Sequence, residues 1–240
     1  NAVVIFQLAL CGFAAWLLAW KITGDKKAAF IALMIFETSP HLLGQAYNGI
    51  SETVCAGWLP LTLWALIRLM ERPTWKGSVL LGFFGGICVL SSWYYGLFAI
   101  IGSLTLLLWN AIRQSWLFKW KAIAIKVAVS TCVAFVMVIG PFLAFRGSLN
   151  AENALVKRDP KFVEASLLNH NITDIFAFFN PTKTPSPDLF ALYGEELVIV
   201  IYLGWIAITL SIYSFFMLRN TRDLEPWVLV VVFFFLFSLG

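Results

Sequence analysis

Apolar runs long enough to cross a lipid bilayer are the feature that most constrains this chain. A helix needs about 20 apolar residues to span the hydrocarbon core, and helices satisfy all their backbone hydrogen bonds there. We delimit eight candidate spans, at residues 2–20, 28–38, 53–70, 78–93, 97–112, 122–145, 197–217 and 226–240. The second is too short to cross alone unless it extends through Leu43. The pattern therefore predicts an all-α, polytopic helical membrane protein with about eight transmembrane spans.

Composition supports a membrane protein over a soluble one. Hydrophobic residues make up 60% of the chain and charged residues 12%, with a mean hydropathy of +0.84, whereas a soluble domain carries about 25% charge. The net charge is only +4, and we expect membrane lipid, not nucleic acid, as a partner. The cysteines lie far apart in apolar runs, so neither a disulfide framework nor a zinc site is expected.

The basic residues predict the orientation of the spans. Twelve of the seventeen lysines and arginines fall in the connectors after the first, third, fifth and seventh spans, and such an excess marks the cytoplasmic side. Residues 38–52 and 146–196 are then predicted to lie outside. The twelve are Lys21, Lys26, Lys27, Arg68, Arg72, Lys76, Arg113, Lys119, Lys121, Lys126, Arg219 and Arg222.

The chain is interpreted as a single transmembrane domain over residues 1–240. It begins without methionine inside an apolar run and stops inside another, so we expect an internal fragment of a longer chain. The long outer segment, residues 146–196, has apolar residues between Phe162 and Phe179 at a spacing that predicts one or two interfacial helices. The run TKTPSPD that follows Pro181 predicts an irregular loop.

A polar stretch between residues 37 and 52 interrupts the apolar sequence. Ser39-Pro40 ends the second run, because proline lacks the helix amide and restricts the residue before it. Hydrogen-bonding residues then follow at close spacing, and lipid tolerates them poorly. They are His41, Gln45, Tyr47, Asn48, Ser51 and Glu52. We interpret the stretch as the membrane-surface part of a polar site, with His41, Tyr47 and Asn48 as candidates for binding substrate.

Two acidic residues of this stretch are candidates for catalysis. Glu52 stands at the mouth of the third span, where it can accept a proton, bind a cation or hold a sugar hydroxyl. The alternative is that Glu52 caps the helix that begins near Thr53. Glu37 follows IALMIF directly and needs a partner at the edge of the hydrocarbon, either His41 on the same helix face or a basic residue from elsewhere. The alternative for Glu37 is a snorkelled interfacial glutamate.

Further charged candidates lie on the same predicted side. Arg146, at the top of the sixth span, suits a lipid phosphate because its planar guanidinium binds oxyanions at two points. Glu195 and Glu196 directly precede the seventh span, either as substrate-binding groups or as acids favoured by the helix dipole. This pair and Glu52 leave room for a divalent metal, although no spacing rule demands one. No metal ligand is assigned.

The order of the segments resembles a known family. TGDKKAA, SPHLL, NGISE, AGWLPL, RPTWKG and LSSWYYGL, placed between spans, are similar to the type C (GT-C) glycosyltransferases, distantly related to the protein mannosyltransferase and aminoarabinose transferase branch. EELVIVIYLGWIAI and FLFSLG resemble the same group. The acidic position of a Gly-x-x-Glu-like stretch in that family falls on Glu52 and its glycine on Gly49, with Ile50 where members often have histidine. Glu195 or Glu196 falls where members often carry an acid.

The resemblance implies an enzyme that moves a sugar from a polyprenyl-phosphate donor to an acceptor at the outer membrane face. The main catalytic acid of the family is an aspartate in an outer loop, which would lie upstream of residue 1. Glu52 would assist it as base, and Arg146 would hold the leaving phosphate. Trp93 and Tyr94, in a turn between spans, would stack a sugar ring or anchor the spans in the interface. We expect the plasma membrane of a prokaryote as the location.

The alternative is a non-catalytic multi-span membrane protein. It would be a transporter of lipid-linked material or a scaffold subunit of a membrane complex. A transporter would more often show discontinuous spans at matched positions in two halves, and the sequence has no such internal symmetry.

Overall fold

In a computed structural model of the chain, helices run back and forth to form a bundle. The structure describes residues 2–113, 119–149, 175–180, 202–218 and 225–238. The α-helices of these residues, in chain order, are α1 (Ala2–Thr23), α2 (Lys26–Glu37), α3 (Pro40–Tyr47), α4 (Ser51–Val54), α5 (Trp58–Glu71), α6 (Trp75–Ser91), α7 (Trp93–Arg113), α8 (Lys119–Leu149), α9 (Trp205–Leu218) and α10 (Glu225–Ser238). Short 3₁₀ turns cover Cys55–Gly57 and Ile175–Phe178.

The prediction of an all-α, polytopic membrane protein is confirmed. Four helical stretches are long and apolar enough to cross a bilayer, namely Ala2–Thr23, Ser51–Glu71, Trp93–Ile112 and Trp120–Leu149. Shorter apolar helices, Trp75–Ser91, Trp205–Phe216 and Glu225–Leu236, overlap the predicted spans at 78–93, 197–217 and 226–240. The span predicted at 28–38 is α2, whose 12 residues give a length of about 18 Å. The chain is therefore an integral membrane protein in which α2 is too short to cross alone.

Small polar residues between the apolar runs fix where the helices begin. The Asp25 carboxylate accepts a hydrogen bond from the Lys27 amide at 2.8 Å and starts α2. Ser39 caps α3 in the same way, with Pro40 as its first residue, where the missing proline amide costs nothing. Because α2 ends at Glu37 and α3 begins separately, the second span does not extend through Leu43 as one helix.

Contacts between helices define two ends of the bundle. At the first, which we call the basic end, Lys21 Nζ of α1 pairs with Glu71 Oε2 of α5 at 2.5 Å. At the second, the polar end, the Tyr95 hydroxyl of α7 donates to the Thr53 carbonyl of α4 at 2.8 Å. The longer helices run alternately between these ends, and the short helices α3 and α4 both lie at the polar end. The polar stretch and the end of α8 thus belong to one end, and the first basic connectors to the other.

Lys126 corrects one part of the sequence prediction. It was counted with the basic connector although the span predicted at 122–145 includes it, and it lies inside α8, only 8% exposed. Its ammonium lies over the ring of Trp75 at the start of α6. The aromatic face supplies a favourable partner for the buried cation, so a lysine can be tolerated within the helix.

Helix α6 lies at the centre of the bundle. It packs against α5, α7 and, most extensively, α8. Leucines from α5, α6 and α7 form the main buried cluster, among them Leu66 and Leu69. Toward α8, a Cβ atom at Gly82 would lie 2.7 Å from Val133 Cβ, and one at Gly86 would lie 2.9 Å from Met137 Sδ. The absence of side chains at these positions allows the two helices to approach closely.

The long outer segment is described only in part. Helix α8 continues to Leu149, past the predicted end of the sixth span at residue 145, so the first residues of this segment are helical. A 3₁₀ turn covers Ile175–Phe178. The amide of Leu203 donates to the Phe178 carbonyl at 3.2 Å, which ties this turn to the start of α9. The predicted interfacial helices otherwise lie outside the described residues.

Candidate functional site

The polar stretch folds into two short helices joined by a tight turn. Helix α3 ends at Tyr47, and Gly49 follows with φ of 72°, a left-handed conformation that favours glycine. The Ile50 amide then donates back to the Gln45 carbonyl at 3.0 Å. This turn directs the chain into α4 and the 3₁₀ turn that leads to α5. Gly49, which matches the glycine of the family's Gly-x-x-Glu-like stretch, therefore allows the left-handed turn between α3 and α4.

Close contact with α1 holds this stretch in place. A Cβ atom at Gly57 would lie 2.9 Å from the Cys11 amide nitrogen, so the two backbones touch. The Cys11 thiol donates to the Val54 carbonyl at 3.3 Å. Cys11, Leu42 and Ala56 form a buried cluster together with Phe36 and Tyr95. Apolar residues of the polar stretch and of the turn after it thus pack against α1 and α7, and this packing fixes the position of the stretch.

Glu52 is exposed, in the first turn of α4. The residue that precedes α4 is Ile50, and no side chain makes a capping hydrogen bond there. The Glu52 carboxylate lies in the first turn, near the positive end of this short helix, as the alternative of an acid at the helix start expects, and its catalytic role stays a prediction. The next residue, Thr53, has its carbonyl held by Tyr95. This bond fixes the backbone that carries the Glu52 carboxylate.

Glu37 is half-buried at the end of α2. A methyl group at Gly12 would clash with Glu37 Oε2 and would lie 3.2 Å from Leu33 Cγ, so the carboxylate packs directly against the backbone of α1. His41 lies on α3, a different helix. The two residues therefore do not share one helix face, because the break at Thr38 and Ser39 separates their helices, and the pairing of Glu37 with His41 stays a prediction.

The three candidates for substrate binding on α3 lie near Glu52 in the chain. His41 is in the first turn of α3 and is exposed, and Tyr47 at its last turn is 78% exposed. Asn48 follows the helix and is half-buried. Its backbone N–H donates to the Gly44 carbonyl at 3.0 Å. Leu42 supplies the buried face. Helix α3 therefore presents polar groups above an apolar anchor.

Trp93 and Tyr94 belong to a helix and not to a turn. Only Ser92 interrupts the helices here, and its extended backbone ends α6, so the predicted aromatic turn is the first turn of α7. The Trp93 ring meets Phe142 of α8 with centroids 5.8 Å apart. Tyr94 is 70% exposed. Arg146 is exposed, one helical turn beyond Phe142 on α8, and so lies on the same side of that helix.

The start of α7 thus stands between two of the candidates. Tyr95 bonds to α4 beside Glu52, and Trp93 packs on α8 near Arg146. Residues two apart on a helix point about 200° from each other, so these contacts lie on roughly opposite sides of α7. Packed helix axes lie about 8 to 10 Å apart, so α4 and α8 are about two such spacings apart, with the start of α7 between them.

Several polar groups near this end were not assigned from the sequence. Gln7 Oε1, Gln45 Oε1 and Trp58 Nε1 are buried, and within the described residues they have no hydrogen-bond partner. Such groups need a partner from water or a ligand. Gln45 was visible as part of the polar stretch, and Gln7 as a polar residue in an apolar span. Nothing in the sequence distinguished Trp58 or Tyr95 from ordinary interfacial aromatics.

The remaining candidates are the acidic pair before the seventh predicted span. Glu195 and Glu196 lie outside the described residues. In the part of the chain that the structure describes, no group of three or more His, Cys, Asp or Glu residues could hold a metal ion. The chain is described again from Tyr202, and a Cβ atom at Gly204 would lie 3.9 Å from Pro40 Cδ of α3. Gly204 therefore lies beside α3, at the polar end.

Comparison with known protein families gives a match over the first part of the chain. The family model described as dolichyl-phosphate-mannose-protein mannosyltransferase matches residues 1–141, more than half of the 240 residues. No curated protein and no solved structure shows a significant match. The matched part includes Glu37 and Glu52 with the helices that carry them. Arg146 and the acidic pair at 195–196 lie beyond it.

Proposed function

The chain belongs to the dolichyl-phosphate-mannose-protein mannosyltransferase family, a family of membrane glycosyltransferases, and from this premise we propose that it is an enzyme of that kind. It moves a sugar from a polyprenyl-phosphate carrier to an acceptor hydroxyl. The reaction takes place at the polar end, on the outer face of a prokaryotic plasma membrane. The basic connectors at the opposite end support this orientation.

The chemistry requires opposite groups on the two sides of the sugar. The acceptor oxygen attacks the anomeric carbon, the bond from that carbon to the phosphate oxygen breaks, and the polyprenyl phosphate leaves with the electron pair. The acceptor proton passes to a base. A cation or other positive group stabilises the negative charge on the leaving phosphate. A base and a cation must therefore face the sugar from different directions.

The arrangement around the start of α7 is the observation that carries the proposal. Tyr95 ties α4, which bears Glu52, to one side of α7, and Trp93 packs on α8, which bears Arg146, on the other. The sugar and its phosphate lie across the start of α7, where Tyr94 is 70% exposed, and so meet one group on each side. Glu52 accepts or orients the acceptor hydroxyl, together with a further acid upstream of residue 1, and Arg146 binds the phosphate.

The length of α8 supports the phosphate role of Arg146. Helix α8 has 31 residues and is about 46 Å long, more than the hydrocarbon thickness of about 30 Å. Arg146 lies near its end and is exposed, so a helix that starts at the basic end carries the guanidinium to headgroup depth. Lipid-linked phosphates lie at this depth.

The other candidates line the approach to this space. His41, Tyr47 and Asn48 on α3 hydrogen-bond sugar or acceptor hydroxyls, and Trp93 and Tyr94 offer aromatic faces for the sugar ring. Glu37, half-buried against Gly12, is a second carboxylate that can accept or donate a proton. Glu195 and Glu196 are proposed to contact substrate from the segment that leads to α9.

Sugar transfer by the full chain in liposomes tests the proposal. With a polyprenyl-phosphate sugar as donor, Glu52→Gln is expected to lower kcat by about 100-fold or more, the loss typical of a missing general base. Glu225→Gln is the matched control, because Glu225 is also an acid in the first turn of a helix but α10 begins at the basic end. We expect this control to retain full activity.

Arg146→Gln provides an independent test of the phosphate role. Loss of a charge-assisted contact to the donor phosphate is expected to raise the donor KM by about 10-fold or more and to leave the acceptor KM unchanged. Equal activity in the Glu52→Gln, Arg146→Gln and Glu225→Gln proteins would exclude both assigned roles. A parent chain without sugar transfer would favour the non-catalytic alternative.

A further inference from the structure

A cavity at the basic end is built separately from the candidate site at the polar end. Its volume is about 560 Å³, and it lies where α1 and α5 end and α6 begins. Four of its nine lining residues are basic, and Glu71 is the acid among them. The basic members are Lys21, Arg68, Arg72 and Lys76. Four cations against one carboxylate give the lining a formal charge of +3.

Two of these cations are held in place by other groups. Lys21 pairs with Glu71 at 2.5 Å, which uses the one carboxylate of the lining. The Arg68 guanidinium lies over the Trp64 ring, 4.7 Å from its centroid. Arg72 and Lys76 are exposed, and no ion pair is formed by either within the residues that the structure describes. The cavity therefore has two cations that other groups hold in place, Lys21 and Arg68, and two exposed cations, Arg72 and Lys76, that can bind an anion.

The start of α6 adds to this positive field. Thr74 lines the cavity and caps α6, with its hydroxyl accepting from the Gly77 amide at 3.1 Å. The positive end of the helix dipole lies here. The dipole reinforces the four side-chain charges, which remain the main attraction for an anion.

The surroundings of the cavity match the membrane interface. Trp75 is 62% exposed and Trp20 is 38% exposed at this end of the bundle, the usual position of aromatic residues at headgroup level. Ala65 and Leu80 supply apolar lining below the charged groups. A ligand with an anionic head and an apolar body would satisfy both surfaces, and the volume falls in the range of about 300 to 1,000 Å³ typical of ligand pockets.

We propose that this cavity binds the phosphate group of an anionic membrane lipid. Arginine and lysine beside a helix start are suited to phosphate oxygens, and basic pockets between transmembrane helices commonly bind such headgroups. A soluble organophosphate would offer the same chemistry without the apolar body. This site does not depend on the transferase activity proposed for the opposite end.

Native mass spectrometry of the full chain, titrated with phosphatidylglycerol, tests the proposal. Arg72→Gln with Lys76→Gln is expected to weaken phosphatidylglycerol binding by about tenfold, as loss of charge-assisted contacts predicts. Lys26→Gln with Lys27→Gln is the matched control, because these residues are exposed at the same end and do not line the cavity. The control should change binding by less than twofold, and phosphatidylcholine binding should not change in either variant.

Glu71→Gln makes the test independent of folding defects. This change removes the carboxylate of the lining and releases Lys21, so we expect tighter binding of phosphatidylglycerol, by at least threefold. A misfolded protein would not show such a gain. Equal weakening in the cavity variant and in the lysine control would overturn the proposal, since it would indicate general surface charge. Displacement of the lipid by submillimolar glycerol 3-phosphate would overturn the lipid assignment in favour of a soluble organophosphate.

Discussion

At the scale of single residues, adjacent tyrosines at the start of α7 have different tasks. The Tyr95 hydroxyl donates to the Thr53 carbonyl at 2.8 Å, whereas Tyr94 is 70% exposed. We expect Tyr95→Phe to lower the free energy of unfolding by about 0.5 to 1.5 kcal/mol, because it removes this hydrogen bond while the Thr53 carbonyl keeps its backbone partner at the end of α4. Tyr94→Phe should have no effect on stability. Thermal unfolding of the two purified variants measures the difference, and equal midpoints would show that the bond does not hold α4.

The contact between Gly12 and Glu37 leads to a second prediction at this scale. Gly12→Ala places a methyl group against the Glu37 carboxylate and Leu33, and overpacking of this kind costs about 1 to 3 kcal/mol. Shortening the glutamate makes room, so Glu37→Ala should recover part of that loss in the double variant.

A double-mutant cycle on the free energy of unfolding measures this coupling. We expect a coupling energy above about 0.5 kcal/mol, the lower limit typical of residues in contact. Additive effects of Gly12→Ala and Glu37→Ala would show that the carboxylate does not pack on α1.

At the scale of helices, the close approach of α6 and α8 depends on Gly82. A side chain there would meet the Ser130 carbonyl and lie 2.7 Å from Val133 Cβ. Gly85, on the same helix, has Thr62 Cγ2 at 3.9 Å as its nearest neighbour for an added Cβ. We expect Gly82→Ala to destabilise the protein and Gly85→Ala to leave it unchanged or stabilise it by up to about 1 kcal/mol, because alanine favours the helix. Thermal unfolding in detergent compares them, and a loss in both variants would contradict this packing.

The helices could largely be predicted from apolar runs, but their ends could not. The gap between α6 and α7 is a single residue, Ser92, where the sequence predicted an aromatic turn. Lys126 was assigned to a connector, and its place inside α8 depends on a contact with Trp75, which lies far away in the chain. Hydropathy reports how a segment partitions into lipid, whereas caps and packing partners decide where each helix stops.

At the scale of the whole molecule, the two ends should face opposite sides of the membrane. Tyr47 is exposed at the polar end and Lys27 at the basic end, with α2 between them. We expect a membrane-impermeant maleimide to label Tyr47→Cys in intact cells and Lys27→Cys only after permeabilisation. The parent protein provides the baseline, since Cys132 is exposed. Labelling of both positions from the same side would contradict the topology.

The site was less predictable than the topology, for a reason that also lies at this scale. The sequence indicated that the polar stretch carries Glu52 and that Arg146 ends a span. It did not indicate that α7 stands between them, because this depends on tertiary contacts of Tyr95 and Trp93. Gln7 was hidden in the same way, since burial of its amide oxygen depends on how the helices meet.

The central place of α6 has a consequence for the order of events during synthesis. The ribosome synthesises Gly82 and Gly86, the glycines of α6 that face α8, before it synthesises α7 and then α8. Roughly 40 residues separate Ser91 from the Ser130 region that packs on Gly82, which a ribosome adds in about 2 to 8 seconds at about 5 to 20 residues per second. During this interval α6 is already made while its largest interface is uncovered. A chaperone or insertase that shields small-residue helix faces would act on this protein within that window.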